Sequence, residues 1–482
     1  MRLFRRTSAE GKKRRTIGLV MSAGILLPMG AIAAGTVAAT PASASVTHDA
    51  AGGSTYHAVQ PYRLADTRPN SGFPNSQGQT LTAGRVLTVK VAPSGISPNN
   101  VPDDATAVVV NITAINPSAG GYLTAYAAGQ TVPLASTVNF IAGQTVANEA
   151  AITLGNTGDP HYGEISVYNF TGSTDVAVDV EGYYTPDTTG SFYVPAVNFN
   201  AATLSMAVSP TRVLDTRPGS GQQGAGETLG PQQTLSFYPG TTTFATGVLT
   251  PIVPSSATAV VLNVTATNPT DTSYLTVWSS GGAQPLASNL NFLPGQTVPN
   301  RVIVPLNPVT KQVSIYNSLG NTDVVVDVDG YYTPLYGTEY YGLVTPTRIA
   351  DTRPGSGLPY SGQTLGQGTI RTINMPPDTF GPNTGFNAPA NFLGVDANLT
   401  VTDTTDLSYL TAYPSTAGSA PPLASDLNWV AGQTVASGDQ ISGVGVSTPS
   451  TAIDAYNFAG SADLVVDIYG YFAGGVAIPP VG

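Results

Sequence analysis

The chain contains no cysteine, which removes disulfides, thiolate zinc sites, thiol nucleophiles and a lipid-anchoring cysteine together. Charge is also scarce. Asp, Glu, Lys and Arg make up 10% of the 482 residues, against about 25% in ordinary soluble domains. The 53 glycines and 39 prolines disfavour long helices, but stay below the roughly 25–30% that marks low-complexity chain. What is present suffices for packed cores: 41% hydrophobic residues, including 14 Phe and 23 Tyr.

Positive charge is rarer than the totals suggest. Arg2, Arg5, Arg6, Lys12, Lys13, Arg14 and Arg15 precede an apolar, small-residue stretch from Ile17 to Val37 and then Ala42-Ser43-Ala44. This pattern predicts a secretory signal peptide over residues 1–44, cleaved after Ala44 by the general route rather than the twin-arginine one. Pro28 and the low Leu/Ile density argue against an uncleaved anchor. Without the leader, 11 basic and 28 acidic residues remain of the 18 and 29 in the whole chain, a net charge of −17. Two lysines, Lys90 and Lys311, are left, too few to release counterions from a phosphate backbone, so nucleic acid is excluded as a partner.

One pattern occurs three times. Tyr62-Arg63-Leu64-Ala65-Asp66-Thr67-Arg68-Pro69 returns as Thr211 to Pro218 and as Thr347 to Pro354. Four more blocks follow in constant order: Asn111-Ile112-Thr113, Asn263-Val264-Thr265 and Asn398-Leu399-Thr400; then Tyr122 to Tyr126, Tyr274 to Trp278 and Tyr409 to Tyr413. Pro133-Leu134-Ala135-Ser136 through Gly143-Gln144-Thr145-Val146 matches Pro285 to Val298 and Pro422 to Val435, and each copy closes on Asp175 to Tyr184, Asp323 to Tyr332 or Asp463 to Phe472. Asp66, Asp215 and Asp351 are 149 and 136 positions apart, too far for a solenoid turn or propeller blade, so each copy is a whole domain. The predicted boundaries are an N-terminal tail 45–53, repeats over 54–186, 203–334 and 338–474, linkers 187–202 and 335–337, and a C-terminal tail 475–482. Short linkers predict a rod of three beads.

Apolar residues alternate within each copy. Val108, Val110 and Ile112 share one face of a strand, as do Val324, Val326 and Val328. Such period-2 runs, bounded by Gly, Pro, Asn and Asp, predict sheets with one buried face. The expected fold class is all-β, three tandem antiparallel β-sandwich domains after a cleaved signal peptide, with a barrel as the alternative.

Six of the nine arginines beyond the leader belong to the thrice-used block: Arg63, Arg68, Arg212, Arg217, Arg348 and Arg353; Arg85, Arg301 and Arg371 have no matching place. The recurring acids are Asp66, Asp215 and Asp351, with Asp175/Asp179, Asp323/Asp327 and Asp463/Asp467 in the closing strand. Arg forks binding those carboxylates would lock the opening segment to the closing strand and fix register. Two other readings stay open. Asp323, Asp327 and Asp329 could bind calcium through oxygen ligands, although Glu181 and Tyr469 replace Asp329 in the other copies. A glycosidase would need two carboxyls flanking a sugar, three times over. Serine chemistry lacks a base, because His48, His57 and His161 all lie in or before the first copy. The Asn-x-Thr triplets match a glycosylation pattern, but sit inside strand-like runs, where hydrogen bonding is the better role.

The pairs Tyr122/Tyr126, Tyr274/Trp278 and Tyr409/Tyr413 are four apart, hence on one face and about 13 Å apart. They are either core residues or a ligand platform, for stacking sugars or for a partner.

The Arg-x-x-Asp-Thr-Arg opening, the Asn263 to Pro269 run before Ser273 to Trp278, Ser288 to Phe292 before Gly295 to Asn300, and Asp323 to Tyr332 resemble a domain repeated in secreted actinobacterial proteins. The resemblance covers nearly all of residues 54–474, and its specificity lies in the order of the blocks. That family occurs alone or beside secreted hydrolases, which implies an accessory or surface role and assigns no site residue. The third copy departs from the pattern at Phe392 to Ala397, where Asp396 interrupts the apolar run.

Together these features predict a secreted, non-enzymatic structural or adhesive protein without cofactors. It would be released or held noncovalently at the cell wall, and would contact wall polysaccharide or another surface protein, with no membrane contact after cleavage. A polymer hydrolase using the recurring Asp residues and a calcium-stabilised rod are the alternatives.

Overall fold

In a computed structural model, described here over residues 53–476 except 74–75, 93–100, 156–159, 201–204, 209, 244–248, 376–391, 416–419, 423, 443, 446–447 and 450–451, every regular element is a strand. The expected signal peptide lies outside the described residues. Each copy is an antiparallel β-sandwich. In the first, an inner sheet runs in the order Thr55–Asp66, Ser173–Thr185, Ala107–Ile115, Val146–Thr153, and an outer sheet in the order Val86–Lys90, Glu164–Asn169, Gly121–Ala127, Val138–Phe140. The other copies repeat this order, with closing strands Asp323–Thr333 and Asp463–Val476 and central strands Ala259–Thr267 and Phe392–Thr402.

The alternating apolar residues fill the space between the two sheets. Val108, Val110, Ile112 and Ala114 pack with Leu123, Ala125, Ile165 and Val167 in the first copy, and the other two copies have equivalent cores. Fully burying each Val, Leu or Ile contributes about 1.5–3 kcal/mol.

The expectation of one buried face per sheet fails for the inner sheets. All eleven residues of Asp323–Thr333 are buried, because the second face of each inner sheet packs on the neighbouring copies. Described residues of all three copies fall in one compact unit, so the rod is also corrected. Residues 187–202, read as a linker, contain the strand Phe192–Pro195, which pairs with the closing strand of the second copy through Phe192↔Thr333 and Tyr193↔Tyr332.

A common axis joins the copies. The opening strands meet one another through Tyr56↔Ser191, Tyr193↔Thr338 and Ser54↔Tyr340, so first meets second, second meets third and third meets first. Six aromatic rings close the same circuit. Their centroids are 4.4 Å apart for Tyr56 and Tyr332, 4.4 Å for Tyr193 and Phe472 and 4.2 Å for Tyr340 and Tyr184, all between copies. Within copies they are 5.2 Å apart for Tyr56 and Tyr184, 5.6 Å for Tyr193 and Tyr332 and 5.4 Å for Tyr340 and Phe472. Each such pair adds about 0.5–1.5 kcal/mol beyond its buried area.

Glycine makes this approach possible. A Cβ on Gly182, Gly330 or Gly470 would meet the ring or hydroxyl of Tyr56, Tyr193 or Tyr340 at 2.2, 2.4 and 2.3 Å.

Candidate functional site: clefts between copies

The outer face of each central strand grades from the axis to the rim. Ala107 and Val109 pack in the aromatic hub. Asn111, next on that face, donates from Nδ2 to the Ser288 carbonyl of the second copy at 2.7 Å. Asn263 does the same to Ser425 of the third at 2.5 Å, and Asn398 to Ser136 of the first at 2.5 Å. Head-to-tail contacts of this kind close into a ring when the rotation permits. Asn111, Asn263 and Asn398 are the residues of the Asn-x-Thr triplets, and all three are buried.

Beyond the asparagines the copies separate into clefts. One, of about 570 Å³, is lined by Arg63, Arg68, Thr113 and Thr145 of the first copy and by Tyr274, Leu286, Ser288 and Asn291 of the second. Another, of about 240 Å³, is lined by Arg212, Arg217, Thr265 and Thr297 of the second copy and by Tyr409, Ser425 and Asn428 of the third. At the third boundary Tyr122 of the first copy lies within electrostatic reach of Arg348 and Arg353 of the third. The Arg block and the first residue of each aromatic pair, far apart in every copy, thus meet across the boundaries.

Arginine forks build one wall. Arg63 donates to Asp179 through Nε at 2.6 Å and Nη2 at 3.0 Å, and to Asp66 through Nη1 at 2.9 Å. Arg212 binds Asp327 at 3.0 and 3.1 Å and Arg348 binds Asp467 at 2.8 and 2.9 Å. Each pair is also a cross-strand neighbour, so the fork ties opening to closing strand. Arg68, Arg217 and Arg353 turn back onto Asp66, Asp215 and Asp351, with Nε at 3.0, 2.9 and 2.9 Å. Their side chains remain 49%, 44% and 37% exposed. They are the part of the lock that a ligand can reach.

Burial and charge oppose each other in this wall. Burial works to raise Asp66, Asp215 and Asp351, but hydrogen bonds from Arg68, Arg217 and Arg353 outweigh it and hold all three carboxyls below the usual range. Asp179, Asp327 and Asp467 lie deeper; burial raises them, and their Arg partners offset only part of it.

The second set of closing-strand acids does not form ion pairs with arginine, contrary to expectation. Asp175 accepts from Thr67 at 3.1 Å and Thr80 at 2.7 Å; Asp323 accepts from Thr228 at 2.7 Å and Asn268 at 3.0 Å; Asp463 accepts from Thr352 at 2.9 Å and Thr364 at 2.7 Å. They sit where the closing strand begins, opposite the loops, and the forks reach only the acids four residues further on. The calcium candidates are likewise separated by partner, with Asp323 on Thr228 and Asn268, Asp327 on Arg212, and Asp329 facing the third copy. Among the described residues no group of three or more His, Asp or Glu is placed to hold a metal ion.

The aromatic pairs divide between the two roles considered for them. Tyr126, Trp278 and Tyr413 are buried, and Trp278 Nε1 donates to the Gly282 carbonyl at 3.1 Å. Tyr122, Tyr274 and Tyr409 are half-buried, and Tyr122 and Tyr409 stack on Phe170 and Phe458 at 4.6 and 4.9 Å. Burial raises the Tyr409 phenol, with Tyr456 adding to it and Arg212 opposing it. Leu286, 74% exposed, adds an apolar lip. At the floors, the hydroxyls of Thr113 and Thr265 are buried without a hydrogen-bond partner, and such a group gains from any ligand that supplies one.

Arg301 is the buried charge between copies that sequence reasoning passed over. It matches Glu149 and Gly438 in cross-strand register with Asn263, Asn111 and Asn398. Its Nε donates to Glu149 at 2.6 Å and its Nη1 pairs with Asp396. Asp396 occupies the register place of Val109 and Val261, opposite Gly470 where those face Gly182 and Gly330. The interrupted run in the third copy therefore supplies a counter-ion to Arg301, which is buried between the copies.

No family model matches the sequence, and no curated protein matches it. Among solved structures, the chain aligns with one described as the triple jelly roll fold and turret assembly in an archaeal virus, at 10% identity over 87% of this chain and 96% of that one, with a TM-score of 0.18. It aligns with a structure of Sulfolobus turreted icosahedral virus at 11% identity over 87% and 98%, with a TM-score of 0.17. A third alignment, to infectious bursal disease virus Gx strain, has 10% identity over 80% and 76% and a TM-score of 0.15.

Proposed function

We propose that the protein is a secreted, non-enzymatic binding protein whose inter-copy boundaries each take a sugar unit of an extracellular polysaccharide. The observation that carries this reading is the recurrence of one constellation across copy boundaries: a half-buried Tyr on one side and a half-exposed Arg on the other, with an unpartnered Thr hydroxyl at the floor of both measured clefts. An aromatic face stacks on the apolar face of a pyranose, while guanidinium and hydroxyl groups satisfy its ring substituents. In the walls of the two measured clefts Asp66, Asp179, Asp215 and Asp327 are all bound to arginine, an arrangement that disfavours a glycosidase. Three weak sites in fixed relation gain avidity on a repeating polymer.

The test is retention of the purified protein on insoluble cell-wall polysaccharide, compared with Tyr122→Ala, Tyr274→Ala and Tyr409→Ala singly and together. Graded loss from single to triple variant supports the reading. Undiminished retention by a folded triple variant overturns it.

A further inference from the structure

At each copy boundary the residue after the Ala-Ser pair reaches a residue of the preceding copy that stands just before the hub glycine. Thr137 hydrogen-bonds Tyr469 at 2.7 Å, and Asn289 Nδ2 donates to Glu181 at 2.6 Å. The boundary between the second and third copies brings Asp426 to the same place, facing Asp329. In all three, the side chain also accepts from a strand N–H: Ala125 donates to Thr137 at 2.8 Å, Val277 to Asn289 at 2.7 Å and Ala412 to Asp426 at 2.5 Å. With that oxygen committed, Thr137 and Asn289 still have a hydrogen to share with the neighbour, and an ionised Asp426 has none.

A third acid adds to the imbalance. Asp439 stands where the other copies have Ala150 and Val302. Asp329, Asp426 and Asp439 are 7%, 3% and 5% exposed, and Asp329 Oδ1 and Asp439 Oδ2 are buried without a hydrogen-bond partner. Arg301, the cation that acts on Asp329 and Asp439, already carries Glu149 and Asp396. The other titratable groups facing the cluster are Asp327, held by Arg212, and the Tyr193 phenol, with Glu181 at the neighbouring boundary. The three carboxyls are not arranged to hold a metal ion.

We propose that the second and third copies are held together by protons carried on Asp329, Asp426 and Asp439, making this boundary an acid-stabilised joint that loosens as the medium turns neutral to alkaline. Burial, then mutual repulsion, raises Asp329 and Asp426 well above the carboxylate range, and burial lifts Asp439 to about 7. Folded values raised above unfolded ones give stability that is complete below the unfolded value, about 4. That stability is lost as pH climbs through the folded values.

The experiment follows the melting temperature of the purified protein from pH 5 to pH 8, alongside Asp426→Asn, which recreates the Asn289 arrangement, and Asp439→Val, which recreates Val302. A lower melting temperature for the parent at pH 8 is expected, together with a smaller drop and a higher pH 8 value in each variant. A parent curve that is flat or rises with pH overturns the proposal. So does an unchanged drop in both variants, or recovery of the parent at pH 8 by calcium or magnesium that Asp426→Asn does not share.

Discussion

Asn398 donates its amide to the carbonyl of Ser136, 262 residues earlier in the chain. It also accepts from Asn148 Nδ2 at 2.8 Å, so one side chain closes the circuit from the last copy to the first. Asn398→Ala strands a buried carbonyl and a buried amide, and is expected to cost about 1–3 kcal/mol. Denaturant unfolding of the variant beside the parent measures it.

Arg301 is the buried cation to which Glu149 and Asp396 both turn. Removing one partner of a buried pair costs about 3–5 kcal/mol, so Arg301→Met is expected to be strongly destabilising. Adding Glu149→Gln to it recovers part of the loss, a non-additivity that a double-mutant cycle by thermal unfolding reads directly.

The two members of each aromatic pair are expected to fail in different ways. Trp278→Ala empties a buried site and costs about 3–5 kcal/mol of stability. Tyr274→Ala, at a half-buried position, leaves folding close to the parent and weakens polysaccharide retention. Paired melting and retention assays separate the outcomes.

The acid limb of the stability curve has the opposite sign to the proton-held joint. Asp66, Asp215 and Asp351 have lowered carboxyls, so their contribution is present above the unfolded value of about 4 and is lost as pH falls below it. Melting temperature is therefore expected to fall on both sides of a mildly acidic optimum. Asp215→Asn removes part of the acid limb and leaves the alkaline limb in place. Because Arg217 is 44% exposed, salt weakens this pair.

The sandwich was legible from alternation alone, since Val108, Val110 and Ile112 can share a face only in a strand. The meeting of Arg63 with Asp179 could also be anticipated, because forks and carboxylates recur together at fixed order. The clefts could not, since Tyr274 meets Arg63 and Arg68 through a boundary between copies, and nothing in either block reports on its neighbour in space. Tyr56, Tyr193 and Tyr340 stand outside the alternating runs, and their significance appears only once Gly182, Gly330 and Gly470 admit them. Asp396 looked like a defect in a strand because its counter-ion belongs to another copy. Residues 187–202 looked like a linker because their two strands, Phe192–Pro195 and Val197–Asn200, are four residues each, too short to show a period.

Glu149, Arg301 and Gly438 occupy one structural place three times over, supplying an acid, a base and the gap that receives the guanidinium; a Cβ on Gly438 would come within 3.3 Å of Arg301 Cζ. Three separate identical chains meeting around such an axis would bring together three acids, three bases or three gaps. A single reading frame escapes that constraint, since each position can be assigned once. The chain is in effect an obligate heterotrimer of its own parts, with stoichiometry and order guaranteed by translation.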